Sequence, residues 1–245
     1  MYDPSKVEHP DHSAGGSVPI EQPAELPALR PALSEDLALA RLKDPEITKE
    51  SIEEIALDSV AMKSRKVRLA LAVHGRTPRR IALRVIRECY TFELMQFALL
   101  PVAPADLKRM ADELLIGRLA SMTLGERITL ARRCSGVVAG GLLLDKESRV
   151  WQTALENPRL TEAGVIRALT KTGASRAFVE AVCYHPKWST RVEVRFALLR
   201  SLHTPLSKAT EFARRIAPPQ LRDILHASKL PESVKRVLRK EVLQS

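Results

Sequence analysis

The sequence predicts an all-α protein built as an irregular α-solenoid, and three observations carry that expectation. First, a five-residue phrase occurs twice. Val67-Arg68-Leu69-Ala70-Leu71 is followed by Thr77-Pro78, and Val194-Arg195-Phe196-Ala197-Leu198 by Thr204-Pro205, with a Val-to-Pro offset of eleven residues in both copies. An apolar helix, a turn and a second helix start, repeated along a chain, is how stacked helical units are encoded. Second, hydrophobic residues make up 45% of the 245 residues but aromatics only 4%. Leu, Ala, Val and Ile must therefore fill the core, which suits thin helical layers better than a β-sandwich. Third, no alternating strand pattern of convincing length is present.

The elements follow in order. Residues 1–33 are rich in Pro, Glu, Ser and Gly and show no apolar period. They are expected to form a disordered acidic arm, with Pro19-Ile20 and Leu26-Pro27-Ala28-Leu29 as its apolar docking candidates. Residues 34–245 are assigned to the α-helical repeat domain. Ser34 is placed to cap a helix carrying Leu37, Leu39, Ala40 and Leu42. After the Asp44-Pro45 turn, Thr48 caps a second helix with Ile52, Ile55, Ala56 and Val60 on one face. A further unit opens near Val67. Leu107, Met110, Leu114 and Leu115 keep the spacing of an apolar helix face. Thr123-x-x-Glu126 and Thr190-x-x-Glu193 have the capping-box pattern, in which hydroxyl and carboxylate each satisfy a free first-turn N–H. In Thr77-Pro78 and Thr204-Pro205 a capping oxygen is expected before a Pro at the first helical position.

Registered on Val67, the unit recurs at Val150 with Asn157-Pro158, at Phe178 with His185-Pro186 and at Leu221 with Pro231. Leu94 with Pro104 and Ile128 with the Gly136 turn are weaker copies. The pattern carried by Val67-Arg68, Val150, Asn157-Pro158 and Val194-Arg195 resembles the leucine-rich repeat variant and its relatives among HEAT-like repeats. That resemblance spans about residues 35–242 and implies a curved, right-handed stack of irregular HEAT-like units offering a binding surface. Some relatives are linked to an N-terminal iron–sulfur cluster. This chain has only Cys89, Cys134 and Cys183, widely spaced, so that feature is not carried over.

Charge gives the functional lead. Residues 1–61 hold 13 Asp/Glu against 5 Lys/Arg, and residues 62–245 hold 34 Lys/Arg against 16 Asp/Glu. A basic body of this kind attracts acidic protein surfaces and polyanions in a salt-dependent way. Lys63, Arg65, Lys66, Arg68, Arg76, Arg79, Arg80, Arg84 and Arg87 place nine cations within 25 residues. Of these, Arg76, Arg80, Arg84 and Arg87 fall near one face as a stripe. A second set runs through Lys187, Arg191, Arg195 and Arg200. The partner-binding candidates are Arg65, Arg68, Arg76, Arg79, Arg80, Arg84, Arg87, Arg191 and Arg195, whose guanidinium forks suit carboxylate or phosphate. Trp188 joins them as a candidate surface anchor, although packing between repeats is the more usual role for it and for Trp151.

Other constellations are read structurally. Cys183-Tyr184-His185 lacks the second ligand pair that a closed zinc site needs, and His185 occupies the turn position held by His74 and Asn157, where it is expected to bond the last helix carbonyls. Ser135 to Gly141 has the glycines of a phosphate loop but not its Lys-Ser/Thr, and is read as a close contact between helices. No catalytic residue, metal or cofactor is nominated. The expectation is a non-enzymatic cytoplasmic scaffold for an acidic protein partner. A nucleic-acid-binding repeat protein is the alternative and a DNA-glycosylase-like enzyme a distant third, the HEAT-like glycosylases being the precedent. The odd, scattered cysteines and the absence of a secretory h-region or a long apolar run support the cytosolic placement without a membrane span. The acidic arm is expected to compete with anionic ligands of the body. Nothing in the sequence fixes an oligomeric state.

Overall fold

Helix-start chemistry sets the boundaries of nearly every element. The computed structural model describes residues 33–242, so the acidic arm, its docking candidates and its expected competition lie outside the described residues apart from Leu33. Among the described residues there are fifteen α-helices and no strand. They are α1 (Glu35–Lys43), α2 (Lys49–Leu57), α3 (Arg65–Val73), α4 (Arg79–Glu88), α5 (Thr91–Leu99), α6 (Ala105–Arg118), α7 (Leu124–Arg133) and α8 (Gly136–Leu142). After them come α9 (Ser148–Leu155), α10 (Glu162–Thr170), α11 (Arg176–Tyr184), α12 (Val192–Arg200), α13 (Leu206–Ala213), α14 (Pro218–His226) and α15 (Glu232–Val242). None is long and apolar enough to cross a membrane.

Ser34, Thr48, Ser64, Thr123, Ser135, Thr161 and Ser175 each accept a first-turn N–H from the N-cap position, which stabilises a helix by about 1 kcal/mol per cap. The Thr123–Glu126 capping box forms, with the carboxylate 2.8 Å from the Thr123 N–H. The expected Thr190–Glu193 box does not. Arg191 is the N-cap of α12, one residue too late for it, and the Thr190 hydroxyl donates to the Lys187 carbonyl at 2.9 Å.

The Thr-Pro pairs also work differently from the expectation. Pro78 and Pro205 are themselves the N-caps of α4 and α13. The threonine before each turns back: Thr77 Oγ1 donates to the Leu71 carbonyl at 2.7 Å, and Thr204 Oγ1 to the Leu198 carbonyl at 2.6 Å. Carbonyls in a last helical turn have no intrahelical donor, so these hydroxyls close the preceding helix and leave the next one to start at proline.

A second device recurs at helix ends. Asp44, Asp58, His74, Asp145, Asn157, His185, Ser201 and Ser228 each accept the N–H two residues ahead. This is the side-chain turn that competes with further helix and lets the chain reverse. It corrects the expected role of His185, whose Nδ1 receives the Lys187 N–H at 3.2 Å and whose Nε2 lies 3.1 Å from Glu156 Oε1.

Packing proceeds in steps of two. Helix α3 packs on α1, α5 on α3, α7 on α5 and α9 on α7, while α6 packs on α4, α8 on α6, α10 on α8, α12 on α10 and α14 on α12. The anchors registered on Val67 supply the core: Val67, Leu94, Val150, Val194 and Leu221 are fully buried and Phe178 nearly so, whereas Ile128 only packs against its edge. Among the described residues, every hydrogen bond between residues more than seven positions apart joins residues 23 to 33 positions apart.

Candidate binding groove

The predicted arginine stripe exists, and the chain itself occupies it. Three of its members face the acidic segment before and within α2. Arg76 Nη2 lies 2.9 Å from Glu46 Oε2, Arg80 pairs with Glu53, and Arg84 Nη2 donates to the Ala56 carbonyl at 2.8 Å. Helical spacing sets these contacts, because residues three or four apart share one face. Arg79 pairs with Asp106 and Arg65 bonds Gln96. Arg87 is exposed at the end of α4, where its carbonyl accepts a bond from Arg118 at 3.0 Å. The groove between α2 and α4, about 330 Å³, accordingly carries Glu53 beside Arg80 and Arg84.

Arg68 and Arg195, the arginines of the repeated phrase, are corrections to the expected surface role. Arg68 is 8% exposed and paired with the buried Glu93. Its Nη1 also donates to the Met62 and Lys63 carbonyls at 2.7 and 3.1 Å. Arg195 repeats the geometry: Nε donates to the Ser189 carbonyl at 2.8 Å and Nη2 to the Thr190 carbonyl at 3.0 Å. Both reach back five and six residues and hold the turn before their own helix. Each also stacks on an aromatic ring, Arg68 on Tyr90 at 5.6 Å and Arg195 on Phe212 at 6.0 Å. The second position of the phrase is a turn clamp.

Trp188 is a third correction. It is 2% exposed, and its Nε1 donates to the Leu155 carbonyl at 3.1 Å. Trp151 is buried too, edge-on to Phe178 with centroids 5.9 Å apart. Neither ring is presented for stacking. Arg191 remains exposed at the start of α12.

Further cations without partners line two grooves elsewhere. Helices α6, α8 and α10 enclose a groove of about 320 Å³. Its floor is Gly140, Gly141 and Gly164, where α8 and α10 meet backbone to backbone: a Cβ on Gly140 would stand 3.5 Å from the Gly164 Cα. Gly136 is obligatory, since a Cβ there would lie 2.1 Å from the Arg159 carbonyl oxygen. The expected close contact of this glycine segment is therefore present. It leaves a trough walled by Ile116, Val137 and Leu144 and rimmed by Arg159, Arg167 and Lys171. A second groove of about 400 Å³ continues past the ends of α10, α12 and α14, lined by Lys171, Arg200, Lys229 and the exposed Leu202. Lys171 borders both. The Lys229 N–H donates to the Arg200 carbonyl at 3.0 Å, which holds the backbones of these two residues side by side.

No Asp or Glu lines either groove. Within the described residues, the side chains of Arg167, Lys171, Arg200 and Lys229 form no ion pair or hydrogen bond, and Arg159 reaches only the Arg133 carbonyl at 3.5 Å. A cation near a helix C-terminus gains about 0.3–1 kcal/mol from the helix dipole. That accounts for a basic residue at each helix end but not for the exclusion of every carboxylate from the lining. Of these residues the sequence reading noted Arg200 alone. The missed signal is a period: Lys171, Arg200 and Lys229 are spaced 29 residues apart, within the separation that joins one packed layer to the next.

Burial sets the remaining reactive groups. The thiols of Cys89, Cys134 and Cys183 are buried. Desolvation pushes the first up to about 11 and the other two up to about 12, the opposite of an activated nucleophile. Asp112 is buried beneath α8 with its carboxyl accepting the Ser135 hydroxyl at 2.7 Å. Burial raises its pKa, and the Ser135 bond acts against that rise. Among the described residues no group of three or more His, Cys, Asp or Glu side chains is placed to hold a metal. Compared with protein-family models, curated proteins and solved structures, the chain matches none.

Proposed function

We propose that this chain is a non-enzymatic scaffold of stacked helices that engages an acidic segment of a protein partner along the α8–α10–α12–α14 groove. The stacked reading is supported by step-of-two packing and by long-range hydrogen bonds confined to separations of 23 to 33 residues, because in such an architecture each unit contacts its neighbours. The HEAT-like expectation rests on the repeated phrase and its shared turn clamp. One observation carries the binding site: three unpaired cations on a 29-residue period run along two adjoining carboxylate-free grooves, with Lys171 at the edge of the apolar one. Cations that the fold leaves without a counter-charge are the ones free to recognise one.

A protein partner is favoured over a nucleic acid by the groove's walls. Single-strand binding relies on aromatic platforms for the bases, and no Phe, Tyr or Trp lines either groove. Aliphatic walls beside cations suit a chain carrying apolar and acidic side chains.

The test is fluorescence anisotropy of the full chain with a labelled acidic peptide, beside a gel-shift assay with duplex DNA and RNA. Peptide binding is expected, weakening as salt rises and falling at least about tenfold in Lys171→Glu/Arg200→Glu, the equivalent of about 1.4 kcal/mol. Peptide binding that survives this double substitution would remove the groove from the proposal. Retardation of nucleic acid at roughly 50 mM salt, lost by roughly 200 mM and without peptide binding, would replace the partner class.

A further inference from the structure

We infer that the groove takes an extended segment with one apolar side chain seated over the glycine floor, followed by acidic residues about three positions apart. This rests on the proposed acidic protein partner and adds the form of the segment that binds.

The groove has two chemically different parts. Over α8 and α10 the floor has no side chains, and Ile116 and Val137 flank it, 38% and 55% exposed. Exposed apolar residues are ordinary when scattered, but two beside a concave apolar surface form a patch of the kind that receives a ligand. A purely anionic ligand would leave this part wetted by water. An apolar side chain displaces that water, and burying one is worth roughly tenfold or more in affinity.

Lys171 stands on the boundary, so an acidic residue must follow closely on the apolar anchor. Arg200 and Lys229 come next, carried by α12 and the chain just past α14. Neighbouring packed helices lie roughly 8–10 Å apart, while an extended chain advances roughly 3.3–3.6 Å per residue. An acid about three residues beyond the one at Lys171 therefore reaches Arg200 and Lys229, whose backbones are bonded side by side. Gly141 acquires a reason beyond close packing, because a larger side chain there would occupy the anchor's place.

The experiment measures full-chain binding of three labelled peptides. One has a Leu anchor and acids at every third position, one replaces the anchor by Ser, and one gathers the same acids into a contiguous run. The anchored, spaced peptide should bind roughly tenfold tighter than the Ser peptide, and tighter than the contiguous one. Gly141→Leu should bring the anchored peptide down to the Ser peptide's affinity and leave the Ser peptide unchanged. The added Cβ would meet Ile116 at 3.5 Å, an ordinary contact, and a Gly-to-Leu change favours helix. A thermal melt checks the fold, and Gly141→Ala, with a smaller effect in the same direction, serves if the larger side chain disturbs it. Equal binding of the Leu and Ser peptides, or Gly141 variants that bind the anchored peptide as the parent does, would overturn the inference while leaving the acidic-partner reading intact. Binding of nucleic acid with no binding of any peptide would overturn both.

Discussion

The arginines in and just before α4 and the cations at or just past the ends of α10, α12 and α14 carry the same charge, yet the fold treats them differently. In the first region Arg76, Arg80 and Arg84 meet Glu46, Glu53 and the Ala56 carbonyl, all contributed by α2 and the turn before it. In the second, Lys171, Arg200 and Lys229 border grooves without a carboxylate. Local cation density is higher in the first region, where the chain's own groups engage Arg76, Arg80 and Arg84 and leave Arg87 exposed, while Lys171, Arg200 and Lys229 all lack a side-chain partner among the described residues. A run of positive charge therefore reports a binding surface only after the chain's own acids have been subtracted. Here much of the acidic excess of residues 1–61 falls in α1, α2 and their turns, within reach of α3 and α4.

Substitutions can break this contrast, beginning with the cation most deeply committed to the fold. Arg68→Ala strands the buried Glu93 and should cost about 3–5 kcal/mol in urea unfolding. Arg68→Met with Glu93→Leu should recover much of that, since replacing both partners removes the uncompensated charge. A loss below about 1 kcal/mol for the single variant would mean that the pair does not hold the turn. Next in size, Lys171→Glu/Arg200→Glu should weaken acidic-peptide binding at least about tenfold, with unfolding changed by no more than about 0.5 kcal/mol per site. The stripe triple Arg76→Ala/Arg80→Ala/Arg84→Ala should do the reverse, leaving peptide affinity unchanged while lowering stability. If the triple abolished binding, the two regions would have to exchange roles.

Smaller effects test the neutralisation itself. Glu46→Gln/Glu53→Gln should alter stability by no more than about 1 kcal/mol per pair, because exposed ion pairs contribute little. It should also create a second, weaker site for acidic peptide on α4, visible as a raised stoichiometry in titration calorimetry. An unchanged stoichiometry would show that the stripe is closed by more than its counter-charges. Last comes Asp112→Asn, read through pH. Burial holds the folded-state pKa of Asp112 above its unfolded value. As pH rises through that interval the unfolded chain gives up the proton first, and stability is lost. The Asn variant, whose side-chain oxygen still accepts from Ser135, should be more stable than the parent at neutral pH. The difference should disappear in acid below the ordinary carboxylate range. A constant difference across pH would place its origin in packing.

Legibility followed the range of the interaction. Ser34, Thr48 and the Thr123–Glu126 box were readable because a cap and the N–H it satisfies lie within one turn. The repeated phrase was readable as a unit, but the job of its arginine was not. Arg68 and Arg195 look like surface cations in a basic run, and only the path of the preceding turn brings two carbonyls to each guanidinium. Trp188 was open to two readings for the same reason, with its acceptor 33 residues away at Leu155. The groove was hidden more deeply. Arg159, Arg167, Lys171, Arg200 and Lys229 form no local cluster, and the 29-residue period of the last three becomes meaningful once the layer-to-layer separation is known.

By itself the sequence determined that the chain is helical, where most helices begin, and which apolar positions form the core. These properties depend on residues a few positions apart and survive changes in the surroundings. Which cations remain available was decided by the tertiary structure. Charge is cancelled by whatever side chain lies within a few ångströms, and for Arg76 and Arg80 that neighbour, Glu46 or Glu53, comes from 30 or 27 residues away.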